Sequence, residues 1–150
     1  RRAGRRRRGC GMASGAPNTL GKDALDALLA LGTVKAIAVT DTSFNKDTWT
    51  RRSHITNEVA TGGGYTAGGV TVTATTATDN TNDRTSITFA DAVWSTATFS
   101  ARGIIYVLVL GGASSADPIL AFGDFGSTKT GDGDTFTGRI TTPVYLSNPS

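Results

Sequence analysis

Side chains that do chemistry are scarce in this chain of 150 residues, which has one cysteine, Cys10, and one histidine, His54. A single cysteine excludes an intrachain disulfide framework. One Cys and one His exclude a Cys/His zinc site within one chain. No apolar run approaches the ~18 residues of a membrane-spanning helix. The N-terminus lacks the apolar centre of a secretory signal. Charged residues are only 18% of the chain, below the ~25% of ordinary soluble domains. Long charged helix-formers are correspondingly few, which argues against a helical bundle or a coiled coil.

What the chain has is Thr, Gly and Ala, at 25, 19 and 19 residues. Thr favours strands and Gly favours turns. The length suits one domain. The net charge of +3 conceals a split. Arg1, Arg2, Arg5, Arg6, Arg7 and Arg8 carry six of the fifteen basic residues, leaving nine basic against twelve acidic residues in the remainder, a net of −3. Residues 1–17 therefore read as an extended Arg/Gly-rich arm that cannot bury enough surface to fold alone. Residues 18–150 read as the folded domain. Met12 offers an alternative natural start, with residues 1–11 an upstream extension.

One helix is predicted after the arm. Asn18 or Thr19 can cap it, and Leu20, Ala24, Leu25, Leu28 and Leu29 recur at helical spacing. Gly32 suits the left-handed position past its end. Strand patterns follow. VKAIAVTD (34–41) alternates, and VTVTATTAT (70–78) has a clean period of two. DNTND (79–83) is a turn, and TSITF (85–89) returns as the second strand of a hairpin. IIYVLVL (104–110) is a continuous apolar run, expected to be a strand buried on both faces. ILAFGDF (119–125) is another strand, GSTKTGDGD (126–134) a loop, and TFTGRITTPVYL (135–146) one or two more strands. SFNKDTWTRRSHITNEV (43–59) is polar and irregular, a long surface connection with at most one helical turn. Seven or eight short strands separated by turn signals predict a mainly β, single-domain antiparallel β-sandwich or jelly-roll-like barrel, with one short N-terminal helix and the basic arm.

Ser53, His54 and Asp47 can be drawn as a hydrolase triad, but a triad is a geometry, and adjacency in sequence is no evidence for one. G-x-S-x-G is absent. Asp132 and Asp134, and Asp79 and Asp83, sit in polar turns without EF-hand spacing and read as solvated carboxylates. GGGYTAGG (62–69) precedes a strand and lacks the Lys-Ser/Thr of a phosphate-binding loop. No catalytic residue, cofactor or metal is expected. The six arginines are the one strong electrostatic feature. They suit phosphates of nucleic acid or, as bidentate donors, carboxylates on a protein surface. Trp94, Phe99 and Tyr106 lie in strand-like runs and read as core, while the pattern leaves open whether Tyr65 packs inward.

Residues 58–126 carry a further pattern. Glu58-Val59 leads into Gly62-Gly63-Gly64-Tyr65-Thr66-Ala67-Gly68-Gly69-Val70. Later come Asp91-Ala92-Val93-Trp94-Ser95, then Thr98-Phe99-Ser100-Ala101-Arg102-Gly103, and Asp124-Phe125-Gly126. This package resembles a family of small tailed-phage virion proteins, head decoration or related accessory proteins, over roughly residues 20–146. The resemblance implies a structural role as a capsid decoration or cement protein. Such a protein sits on the capsid surface, assembles in the host cytoplasm and bridges subunits of the major capsid protein, here as a homotrimer. It implies no membrane and no small-molecule substrate. The Arg-rich arm departs from the family pattern and is the expected tether to capsid or nucleic acid. The alternatives are a tail, fibre or baseplate component, an RNA-virus coat protein with a nucleic-acid-binding arm, and a hydrolase built on His54.

Overall fold

The run Ile104–Leu108 organises the molecule. It lies in strand β6 (Ser100–Val109) of a computed structural model that describes residues 17–147. Ile104, Tyr106 and Leu108 point to one side and Ile105 and Val107 to the other, all fully buried. A strand can do this only in the middle of a sheet that is covered on both faces. β6 pairs with β1 (Thr33–Val39) along the whole of β1, from Thr33 opposite Val109 to Val39 opposite Gly103. On its other side runs β7 (Ile119–Thr130), and the two-residue β2 (Val70–Thr71) completes the antiparallel order β2-β1-β6-β7.

The inner face meets a second antiparallel sheet, ordered β3-β4-β9: β3 (Ala74–Asp79), β4 (Arg84–Phe89) and β9 (Val144–Ser147). Phe89 of β4 stacks on Tyr106 of β6 with ring centroids 4.2 Å apart. A ribbon of β5 (Ala92–Trp94) and β8 (Phe136–Gly138) extends this layer, where Trp94, Phe99, Phe136 and Tyr65 pack edge to face or tilted. Side chains of this size contribute roughly 1.5–3 kcal/mol each when fully buried. The described strands form three open sheets and no closed barrel, so the sandwich is the arrangement adopted.

The outer face is covered differently. Phe44, Trp49 and Ile55, from the segment read as a surface connection, pack on Ile37, Val39, Ile105 and Val107. A 3₁₀ turn, Arg52–His54, lies within it. The connection is thus part of the fold's packing, a smaller second cover that a doubly apolar β6 needs.

Five expectations are corrected. VTVTATTAT is not one strand: β2 pairs with β1 and β3 with β4, and the chain crosses between sheets at Val72–Thr73 without losing its inward–outward alternation. β7 continues five residues into the expected loop, past a bulge where Phe125–Thr128 stand opposite Arg102 alone and Gly126 takes φ +77°. Helix α1 (Thr19–Leu29) docks through Leu25, Leu28 and Leu29, while Leu20 and Ala24 stay exposed. Its end is Ala30 in a right-handed conformation, and Gly32 is not left-handed; it is needed where the chain passes close to the carbonyl of Val109. Asn18 sits at the cap position but makes no side-chain cap bond, since its amide donates to Asp83 instead.

Candidate interaction surface

The glycine-dense stretch closes around one carboxylate. Glu58 Oε1 accepts from Tyr65 Oη at 2.8 Å and from the Gly68 amide at 2.6 Å. Tyr65 Oη also accepts from the Ala38 amide at 3.3 Å. Gly62 and Tyr65 exchange backbone bonds at 2.9 Å, forming a tight loop. Gly69, at φ +71°, lies so close to the Ala36 carbonyl that a Cβ would clash. Burial, and then Glu58, push the Tyr65 hydroxyl well above the ordinary range of a phenol. The residues that carry the resemblance are thus a clasp that fastens the loop to β1, with Tyr65 packed inward. Asp124-Phe125-Gly126 has a comparable local role. Asp124 accepts from the Gly126 amide at 2.7 Å and meets Arg102 at 3.4 Å, closing the bulge in β7.

The titratable groups that suggested chemistry serve the backbone. His54 Nδ1 accepts from the amides of Thr50 and Arg51, at 3.1 and 3.4 Å. In a catalytic triad that nitrogen donates to a carboxylate; here Asp47 pairs with Lys46 instead. Asp79 accepts from Thr81, Asn82 and Arg84 and so closes its own turn; the Asn82 amide, then Arg84, hold its carboxyl below the usual range. Among the described residues no three His, Cys, Asp or Glu side chains gather as a metal site. Buried Asp117 accepts from Arg52 Nε at 2.8 Å and from the Leu110 amide at 2.9 Å, tying the outer cover to the loop before β7. Trp94, Phe99 and Tyr106 are all buried.

The six arginines singled out as the tether, Arg1, Arg2, Arg5, Arg6, Arg7 and Arg8, lie outside the described residues. The structure shows where the chain leaves them. Asn18 bonds Asp83 at 2.8 Å, and the neighbouring Arg84 stands opposite Ser147. Both described ends therefore meet at the β3–β4 turn. Leu20, Tyr145 and Leu146 are exposed there by 55%, 42% and 47%. The Arg84 guanidinium covers the Tyr145 ring at 3.7 Å. β7 and β9, the last strands of their sheets, leave edges unpaired within the described fold. Sequence reasoning missed this surface because it depends on which strand is last in each sheet. No family model, no curated protein and no solved structure matches the chain.

Proposed function

We propose that this protein is a structural component of a tailed-phage virion, a capsid decoration or cement protein that bridges coat subunits. The observation that carries the reading is the meeting of the described chain ends with exposed apolar side chains at one open side of the sandwich, in a chain whose sequence carries six arginines before residue 9. Adhesive features are thereby concentrated where a shell can be gripped. The histidine and the carboxylates discussed above are engaged in holding turns and loops. The resemblance of residues 58–126 to small phage virion proteins points the same way. Each guanidinium contact at a wet surface is worth about 0–1 kcal/mol. A trimer multiplies such contacts through effective concentration.

Sedimentation of purified protein with phage heads tests the reading. The intact chain is expected to pellet with the heads, less so as salt rises, and less still without residues 1–8. Binding to RNA or DNA with none to heads would instead make the arm a nucleic-acid tether and overturn the decoration role.

A further inference from the structure

Two contacts fix how α1 is rotated on the second sheet. Asp26 bonds Thr76 of β3, and Gly21 lies against Thr85 of β4, where an added Cβ would meet Thr85 Oγ1 at 2.6 Å. With that side and Leu25, Leu28 and Leu29 docked, the helical turn of about 3.6 residues carries Leu20, Ala24, Ala27 and Leu31 together onto one free flank. All four are exposed, Leu20 by 55% and Leu31 by 67%, the two most exposed large apolar side chains among the described residues. Leu31 lies just past α1, in a turn where its amide donates to the Leu28 carbonyl at 3.1 Å and so continues the helical winding. A surface helix ordinarily carries its charges on the side away from the docked stripe. The three charged side chains of α1 do not fall among these four: Lys22 and Asp26 pair with each other, and Asp23 stands at the margin.

We propose that this flank docks a second copy of the chain, α1 against α1 and antiparallel. Symmetry selects the occupant. Along the helix the flank reads Leu-Ala-Ala-Leu at spacings of four, three and four residues, the same from either end. A two-fold contact requires such self-complementarity, since residue i must meet j while j meets i. An axis through the middle sets Leu20 of each copy against Leu31 of the other, and Ala24 against Ala27. The small central side chains let the helices approach toward the short end of the ~8–10 Å packing range, and the leucines close over both ends. A coat surface would need no such symmetry. Size then sets the strength. Leu20 to Leu31 is about 16 Å of helix, and a contact of that length falls below the ~1,200 Å² of stable complexes. The pair is therefore transient in dilute solution and favoured where copies are crowded together. It leaves Tyr145 and Leu146 of β9 free for a shell. Being two-fold, it adds to a three-fold contact and does not replace one. It does not depend on the virion reading.

Sedimentation equilibrium of the full-length chain tests the contact. The mass is expected to double from its dilute value as concentration rises. The doubling should persist at high salt, where contacts of the charged arm weaken. Leu20→Asp and Leu31→Lys should each hold the mass at its dilute value. Both sites are already exposed, and each new charge suits its own end of the helix, so the circular dichroism should not change. Register is read by disulfide trapping. Cys10→Ser protein carrying Ala24→Cys is mixed with Cys10→Ser protein carrying Ala27→Cys in a glutathione buffer, and the mixed disulfide should exceed the share that random pairing gives. A mass that never doubles, a doubling that survives either charge, or disulfides at random proportions would each overturn the proposal. So would loss of head binding in Leu20→Asp with the doubling intact, which would give the flank to the coat. Failure of the pairing leaves head binding by the intact chain as it was, so the two readings fall separately.

Discussion

The two faces of β6 are equally dry and very differently covered. Ile104, Tyr106 and Leu108 face strands whose amides and carbonyls are paired in ladders. Ile105 and Val107 face a loop. A loop over a core must satisfy its backbone by other means, because an unpaired buried polar group is costly. Here polar side chains share this with backbone carbonyls: His54 for Thr50 and Arg51, Asn45 for Asp47, Asp41 for Ser43 and Asn57 for the Asp41 carbonyl, while the amides of Trp49, Arg52 and Ser53 reach the carbonyls of Asn45, Asp117 and Ser114. The polar richness that gives residues 43–59 the look of a surface connection, or of a catalytic loop, is what lets an irregular segment act as a lid on apolar side chains.

The two tryptophans report the faces separately, Trp94 in the inner core and Trp49 in the outer cover. Phe89→Ala should have the largest effect, about 3–5 kcal/mol in urea unfolding, since it empties a full ring from the inner core. Half-buried Phe44, stacked on Phe122 at 4.8 Å, should lose only about 1–2 kcal/mol when cut to Ala. Equal losses would erase the distinction between the faces. Asp117→Ala comes next, at about 2–4 kcal/mol. Its partner Arg52 is 28% exposed and can turn to water, which keeps the cost below that of Phe89→Ala. Trp49 emission should then shift at lower urea than Trp94 emission, and coincident transitions would show that the cover is not separately anchored.

Two buried tyrosines sharpen the comparison within the inner core. Tyr65→Phe removes the bond to Glu58 and should cost about 1–3 kcal/mol. Tyr106 Oη is buried and faces only the Ile140 backbone, without a well-formed hydrogen bond to it, so Tyr106→Phe should cost less than Tyr65→Phe, at most about 1 kcal/mol. The smallest effect is that of acid. Ser43 and then Asn57 hold the Asp41 carboxyl below the usual range, and Arg139 does the same for Asp91. A carboxyl whose folded value is depressed stabilises the fold at neutral pH, and that stabilisation is lost as pH falls below about 4. Thermal melts over falling pH should therefore show a decline that begins there; a rise would contradict it.

The double burial of β6 is legible in IIYVLVL because seven apolar residues leave no polar face for water. The hairpin around DNTND is legible because Asp79 and its neighbours close such turns on their own backbone. The crossing at Val72–Thr73 is hidden, since alternation survives a change of partner strand. So is the lid, since its anchors, Phe44, Trp49 and Ile55, are spread through polar sequence. Leu20 looks like core by spacing but flanks the docked stripe, and only the Gly21–Thr85 contact reveals the rotation. The arm is legible only as charge, and its arginines lie outside the described residues.

We propose that this molecule works by adhering to a shell. Electron cryomicroscopy of the particle tests it most directly. The account predicts this sandwich on the outer surface of the capsid, its open β7–β9 side turned toward the coat and each copy touching more than one coat subunit. Density for the chain confined to the tail, or no density on any particle, would contradict it.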